Sequence, residues 1–176
     1  MIIALTGAHS VGKTTLGEKL QEYLPEYKFR EEPYYELEQL GYVFSEMPIV
    51  DDFIEQLEYS TKQIKDCKDN IIFDRCPIDF IAYIQALDRS RNILSEYDLD
   101  DIVSKIDLLV FVSIEQPDLI KCNKSNFPEL RYQVNELLND VIADLNIETL
   151  EVKGSVMNRK DQILSKINDM YKRQKR

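Results

Sequence analysis

The chain has 176 residues, of which 44% are hydrophobic and 31% are charged, as is usual for a soluble globular protein with one core. Its net charge of −10 and its pI near 4.7 argue against the continuous basic surface that a general nucleic-acid-binding protein requires. No window has the apolar length of a membrane span, and the first apolar run begins at Met1, so we expect neither a membrane segment nor a signal peptide.

Short apolar runs alternate with longer helical patterns along the chain, which predicts a parallel sheet flanked by helices. The predicted strands are residues 1–6, 27–30, 70–74, 107–113 and 149–152. Helices are predicted after the first strand as far as Leu24, over 48–65 with Asp51 and Asp52 as N-cap carboxylates, over the nearly all-apolar 78–87, at 102–106, from 128 to about 145, and around 163–171. Residues 33–42 are predicted as helix and then loop, and 88–101 and 115–127 as irregular. This pattern predicts one doubly wound α/β domain over residues 1–176.

The motif with the clearest chemistry is GAHSVGKT at residues 7–14, which matches the phosphate-binding pattern G-x-x-x-x-G-K-[ST], the P-loop. Its two glycines let backbone N–H groups turn toward phosphate oxygens, and the helix that begins near Lys13 adds the positive end of its dipole. Lys13 is expected to reach the β- and γ-phosphates, and the Thr14 hydroxyl to bind Mg²⁺. His9 is expected to be polar filler in the loop. The predicted triphosphate site consists of Gly7, Ala8, His9, Ser10, Val11, Gly12, Lys13, Thr14 and Thr15.

Polar and small residues follow three further predicted strands. They are Glu31 and Glu32, then Asp74 and Arg75, and finally Gly154 and Ser155. Because parallel strands end at one edge of a sheet, these groups are expected to face the γ-phosphate. A carboxylate there can help to hold Mg²⁺ or accept a proton from a hydroxyl, and an arginine can pair with phosphate. Each alone is equally well explained as a solvated strand end, but the three together favour a functional site.

These residues resemble a known family. The E-P after the second strand, the D-R-x-P after the third and the F-x-x-Q on the helix between them resemble the deoxynucleoside and thymidylate kinase branch of the P-loop nucleoside and nucleotide kinases. The runs FDRCPIDFIAY, PELRYQVNELL and LEVKGSVMNR also resemble the small AAA-type ATPase domains of the ribosylnicotinamide-kinase type. The resemblance covers nearly the whole chain.

The resemblance implies a P-loop fold with a five-stranded parallel sheet, helices on both faces, and a lid at about residues 115–131. It implies an enzyme that uses ATP and Mg²⁺ to phosphorylate a small nucleoside or nucleotide. The catalytic residues it implies are Lys13, Glu32 as general base, Asp74 as a second Mg²⁺ ligand beside Thr14, Arg75 and Arg131. Glu32, Gln56 and Arg75 would bind the acceptor, and Gly154 and Ser155 would lie along the adenine.

Several features leave alternatives open. Glu31 is also acidic and competes with Glu32 for the role of base. Tyr34 and Tyr35 follow this pair and are expected to line an aromatic acceptor pocket. The lid carries Arg131 with Lys121 and Lys124 where such kinases often have several arginines, and we expect Arg131 to act only in the closed state.

A P-loop also suits a regulatory ATP-binding module or a plain ATPase, which would need neither Glu32 nor Gln56. A GTPase is excluded, because NKSN at residues 123–126 departs from N-K-x-D and no D-x-x-G occurs. The sequence does not distinguish a nucleoside, a monophosphate or ribosylnicotinamide as acceptor.

The three cysteines predict the compartment. Cys67, Cys76 and Cys122 are widely spaced and form no C-x-x-C pair, which fits neither a disulfide framework nor a zinc site. We therefore expect a cytoplasmic protein with reduced thiols. The sequence does not determine the oligomeric state, and a homodimer is one of the alternatives.

Overall fold

The computed structural model describes residues 1–68, 70–91, 93–118, 120, 122–123 and 126–174. Lys121 and Lys124, the two predicted lid lysines, lie outside the described residues. The strands are β1 (Ile2–Thr6), β2 (Lys28–Arg30), β3 (Ile71–Asp74), β4 (Leu108–Phe111) and β5 (Thr149–Glu151). The helices are α1 (Lys13–Tyr23), α2 (Pro33–Gln39), α3 (Val50–Asp66), α4 (Pro77–Leu87), α5 (Ile93–Glu96), α6 (Leu99–Val103), α7 (Pro128–Asp144) and α8 (Val156–Gln174).

The five strands of the described residues are parallel and form one sheet in the order β2-β3-β1-β4-β5, which confirms the predicted fold class. β1 is central because its apolar residues are buried on both faces, as parallel strands covered by helices require. Strands β3 and β4 pair with its two sides. The chain therefore runs to opposite sides of β1, and the carboxyl end of β1 is the switch point where ligands bind in such folds.

Helices cover the sheet in two layers. α1 and α8 pack against each other in one layer, and α4 packs between α3 and α7 in the other. Every residue of α4 from Pro77 to Ile84 is buried, as its nearly all-apolar sequence predicts. None of the described helices is long and apolar enough to cross a membrane.

The start of α3 differs from the prediction. Asp51 and Asp52 lie in its first turn, and the N-cap is Ile49 without a side-chain cap. The Asp52 carboxylate instead accepts hydrogen bonds from the Tyr42 hydroxyl and the Ser45 N–H, each at 3.0 Å. Asp52 thus fixes the α2–α3 loop, residues 40–49, rather than the helix end.

The polar stretch before β4 is more ordered than predicted. Asp98 accepts a hydrogen bond from the Asp101 N–H at 3.1 Å, and this cap starts α6 at Leu99 instead of 102. α5 lies within the stretch predicted as irregular, because Ile93 is fully buried in a small core with Leu57 of α3 and Phe80 of α4. A tertiary contact of one isoleucine leaves no periodic signal in the sequence.

Candidate active site at the P-loop

The P-loop curls because its glycines adopt backbone angles that other residues avoid. Gly7 has φ 151° and Gly12 has φ 89°. A Cβ on Gly7 would lie 2.4 Å from the Val112 carbonyl oxygen, so only glycine permits the loop to pass this close to the end of β4. Residues 9–15 of the loop border a cavity of about 320 Å³, the phosphate cavity, together with Glu32, Asp74 and Arg75.

Lys13 lies at the floor of the loop. Its Nζ donates hydrogen bonds to the carbonyl oxygens of Gly7 at 2.8 Å and Ala8 at 2.7 Å, and its side chain is buried. Burial, together with the charge of Arg75, lowers the pKa of Lys13 to about 8. A bound polyphosphate would favour the protonated ammonium, which is the form that pairs with phosphate oxygens.

Thr14 and Asp74 form a pair that fits Mg²⁺. The Thr14 hydroxyl donates a 2.5 Å hydrogen bond to Asp74 Oδ2, while Asp74 Oδ1 is buried and has no hydrogen-bond partner among the described residues. Burial raises the pKa of Asp74. No group of three or more His, Cys, Asp or Glu in the described chain could hold a metal, but Mg²⁺ typically takes one or two carboxylates and completes its shell with water and phosphate. Thr14 and Asp74 would hold it.

Arg75 occupies the sharp turn between β3 and α4, with a left-handed φ of 74° that costs energy in a non-glycine residue. The turn directs its guanidinium back over the P-loop. Its Nε donates to Glu32 Oε2 at 2.5 Å, and another guanidinium nitrogen lies 3.2 Å from the Gly7 carbonyl oxygen and 3.6 Å from Asp79 Oδ1. Burial by itself would raise the pKa of Glu32, but the charge and hydrogen bond of Arg75 outweigh it and lower the pKa.

The two candidate bases separate clearly in space. Glu32 points at Arg75 and lines the phosphate cavity. Glu31 is exposed and faces a different cavity beside β2, with Lys28 and Glu36 among its neighbours. This arrangement favours Glu32 over Glu31 as the carboxylate near a transferring phosphate.

A second cavity of about 390 Å³, the acceptor cavity, adjoins the phosphate cavity. The two share His9, Ser10, Glu32 and Arg75. The other residues that line it are Tyr34, Phe44, Ser45, Glu46, Pro48, Asp52, Phe53, Gln56, Phe80, Tyr83, Asn126, Phe127 and Leu130. Gln56 faces this cavity as expected, and its Nε2 donates to the Asp52 carbonyl at 3.0 Å.

Tyr35 does not line the acceptor cavity, which corrects the sequence-based assignment. Its side chain is 47% exposed, and its ring contacts Tyr34 edge-on with centroids 5.5 Å apart. Tyr34 takes the lining position instead and stacks on Phe44 at 4.3 Å. Neighbouring residues at the start of a helix point about 100° apart, so the side chains of Tyr34 and Tyr35 leave α2 in different directions.

Arg131 is buried against the P-loop rather than projecting from a lid. Its guanidinium donates to the carbonyl oxygens of His9 at 3.0 Å and Ser10 at 3.1 Å, and it pairs with Asp118 at 2.5 Å. Only 1% of its surface is exposed. It thereby satisfies the backbone carbonyl oxygens of two loop residues.

Gly154 and Ser155 lie outside the lining of the phosphate cavity and of the acceptor cavity, and their place along the adenine stays a prediction. The Gly154 N–H donates to Glu115 Oε1 at 2.8 Å, and the same oxygen pairs with Arg159 at 2.7 Å. Arg159 in turn donates to the Val11 carbonyl oxygen at 2.7 Å. The turn after β5 thus contacts the P-loop through two charged side chains.

His9 lines both cavities, and its role as polar filler stays a prediction. Burial lowers its pKa to about 4. Its Nε2 donates to the Asn126 carbonyl oxygen at 2.5 Å, and the Tyr83 hydroxyl, 2.8 Å from Nδ1, also accepts the His9 backbone N–H. The ring therefore connects α4 with the segment before α7.

Asp79, Tyr83 and Arg159 are site residues that the sequence analysis missed. Asp79 is fully buried, accepts the Gly7 N–H at 2.9 Å and the Cys76 N–H at 3.0 Å, and so joins the P-loop to the start of α4. A single carboxylate inside an otherwise apolar buried helix is a signal for such a role, because unpaired buried charges are avoided. Tyr83 follows one turn later on the same face.

Arg131→Ala is expected to weaken ATP binding by about tenfold and to lower stability by about 1–3 kcal/mol, since two loop carbonyls and Asp118 lose their donor. This differs from the sequence-based expectation of an effect on kcat alone. Calorimetric titration with an ATP analogue and urea unfolding measure the two effects. Arg91→Ala, which removes an exposed Arg91–Glu96 pair, is the matched control. If Arg131→Ala reduced kcat and left the affinity for ATP unchanged, the result would instead support a role of Arg131 in the closed state only.

Comparison with known proteins concerns the fold. The structure is similar to deoxyadenosine kinase from M. mycoides, with 16% identity, a TM-score of 0.67, and coverage of 97% of this chain and 100% of that chain. It is similar to thymidylate kinase from Candida albicans, with 17% identity, a TM-score of 0.65, and coverage of 97% and 92%. For NadR protein the identity is 16%, the TM-score 0.66 and the coverage 93% and 50%, so this chain spans half of that one.

At these identities the structural matches establish a P-loop kinase-like fold. A search of curated proteins found no match. Residues 2–159, however, match the AAA domain family, AAA_28, and this range includes the P-loop, Glu32, Asp74, Arg75 and Arg131. Since the match extends over most of its length, the chain belongs to the AAA domain family of P-loop proteins.

Proposed function

We propose that the protein is a kinase that transfers the γ-phosphoryl group of ATP to a small nucleoside or nucleotide. The observation that carries this proposal is the Glu32–Arg75 pair, which lies at the junction of the phosphate cavity and the acceptor cavity. A carboxylate and a guanidinium at this junction can contact both a phosphate group in the phosphate cavity and a hydroxyl group in the acceptor cavity. Structural neighbours that are kinases of nucleosides and of nucleotides support the same reading.

In the proposed reaction, an acceptor hydroxyl attacks the γ-phosphorus, a new oxygen–phosphorus bond forms, and the bond to the β-phosphate oxygen breaks to release ADP. The hydroxyl proton passes to Glu32. Because Arg75 lowers the pKa of Glu32 despite its burial, the carboxylate is ionised at neutral pH and has a site for that proton. Lys13 and Arg75 balance the negative charge of the phosphates. Mg²⁺, held by Thr14 and Asp74, would supply further charge neutralisation on the phosphate oxygens.

A plain ATPase or a regulatory ATP-binding module is the second candidate. Either needs the phosphate cavity, whereas neither needs an adjoining cavity lined with aromatic rings. Phe53 and Tyr83 stack there with centroids 4.6 Å apart at 8°, which forms a flat apolar wall suited to a planar base. The acceptor cavity therefore favours the kinase.

ADP release with ATP and Mg²⁺ should be stimulated by one member of a panel of nucleosides, monophosphates and ribosylnicotinamide. If Gln56 binds the acceptor, Gln56→Ala should raise the KM for that acceptor by about 10- to 100-fold and leave the KM for ATP nearly unchanged, since a buried polar contact is worth about 1–3 kcal/mol. Gln63→Ala is the matched control, because Gln63 lies on the same helix and bonds Glu36 outside the cavity.

Acceptor-independent hydrolysis across the whole panel would contradict the kinase and support the ATPase. If Gln56→Ala and Gln63→Ala raised the acceptor KM equally, Gln56 would not be a residue that binds the acceptor. Coupled-enzyme detection of ADP gives both readouts in one assay.

A further inference from the structure

The chemistry of the acceptor cavity bears on which class of acceptor it takes, an inference that rests on the proposed kinase function. Two pairs of stacked rings, Tyr34 with Phe44 and Phe53 with Tyr83, give the cavity flat apolar walls. Such walls suit an aromatic base. The rings carry no charge. Whether the cavity can also bind a negatively charged group on the acceptor therefore depends on the charged side chains around the rings.

Those charged side chains are mostly acidic. Glu32, Glu46 and Asp52 line the cavity. Asp52 is buried and holds the α2–α3 loop through Tyr42 and Ser45, and Glu46 is the exposed residue that follows Ser45 in that loop. Three carboxylates thus surround one small cavity.

The basic side chains that could balance these three carboxylates already have partners within the protein. Arg75 is the one arginine or lysine among the described lining residues, and its guanidinium pairs with Glu32 and the Gly7 carbonyl oxygen and lies 3.6 Å from Asp79. His9 is uncharged at neutral pH and donates its ring N–H to the Asn126 carbonyl. No described cation is left in the lining for a second anionic group.

A monophosphate acceptor carries a charge of about −1.5 to −2 and needs arginine or lysine partners where it binds. Next to Glu46 and Asp52 it would meet like charges instead, which costs binding free energy. We propose that the acceptor is a nucleoside without a phosphate group, and that Glu46 at the cavity mouth is a specificity-determining residue that disfavours nucleotides.

The test measures binding, so that it does not depend on turnover. With the P-loop saturated by a non-hydrolysable ATP analogue and Mg²⁺, adenosine, guanosine, cytidine, uridine, thymidine and ribosylnicotinamide are titrated beside their monophosphates. For the base that binds best, the nucleoside should bind at least about tenfold more tightly than its monophosphate. Added salt should narrow the difference, because it screens the repulsion.

Glu46→Lys should shift this preference toward the monophosphate by roughly tenfold, with Glu46→Gln intermediate. Glu55→Lys makes the same charge change on an exposed residue of α3 outside the lining, and it should shift the preference by less than about twofold. Both positions are exposed, so the substitutions should leave the fold intact.

A monophosphate that binds more tightly than its nucleoside would overturn the inference, and so would equal shifts in Glu46→Lys and Glu55→Lys. These outcomes are separate from failure of the kinase proposal. Phosphorylation of a monophosphate would keep the kinase and overturn the acceptor class. Tight nucleoside binding without phosphoryl transfer would keep the preference of the cavity for a nucleoside over a monophosphate and overturn the kinase.

Discussion

Lys13→Ala is expected to abolish measurable phosphoryl transfer while the protein remains folded. The ammonium lies at the floor of the P-loop, and in the proposed complex it leaves the loop carbonyls to pair with the phosphates. Loss of that charge removes binding and transition-state stabilisation together, a change of several orders of magnitude in kcat/KM. Steady-state kinetics measure it, and circular dichroism with thermal unfolding checks the fold.

Two variants make this result specific. Lys13→Met keeps the volume of the buried chain, so it should remain inactive even if Lys13→Ala loses stability. Lys19→Ala removes a lysine of the same helix that pairs with Glu22 at the surface, and it should behave as wild type. A folded Lys13→Met protein with near wild-type turnover would show that the P-loop is not the site of catalysis.

Glu32→Gln is expected to lower kcat by roughly 10²–10⁴ if Glu32 is the general base. The amide oxygen can still accept the hydrogen bond of Arg75, so the geometry of the site should survive while the proton acceptor is lost. Affinity for ATP should hardly change, since the P-loop supplies most phosphate contacts. Single-turnover kinetics at saturating ATP and acceptor isolate the chemical step.

Glu31→Gln is the matched control for this prediction. Glu31 is exposed and faces the cavity beside β2, so its replacement should leave kcat within about twofold. A larger loss in Glu31→Gln than in Glu32→Gln would transfer the role to the neighbour. No loss in either variant would remove general-base catalysis from the mechanism.

The parts of this structure that depend on local pattern could be predicted from the sequence. β1 and β4 are apolar runs of the length that a buried strand requires, and the P-loop between β1 and α1 is fixed by residue types with a defined backbone geometry. Parallel strands then bring Glu32, Asp74 and Arg75 to one edge without any further information. The sheet and the central residues of the site follow from these rules.

The parts of the structure that depend on side-chain direction and on long-range contacts could not be predicted from the sequence. The sequence predicts that Arg131 acts from a lid in the closed state only, yet its guanidinium donates to the P-loop carbonyls and to Asp118, a partner 13 residues away in the chain. Tyr34 and Tyr35 are identical in type and adjacent, and only the path of α2 decides which of them faces the acceptor cavity. Helical periodicity does not contain this information.

The most direct test of the proposed kinase follows the fate of the γ-phosphate. The protein is incubated with ATP labelled in that phosphate, Mg²⁺ and the acceptor panel, and the products are separated and counted. The label should appear on one acceptor in amounts equal to the ADP formed, and both should fall together in Glu32→Gln. Label found only as inorganic phosphate, at a rate independent of every acceptor, would contradict a kinase and identify the protein as an ATPase.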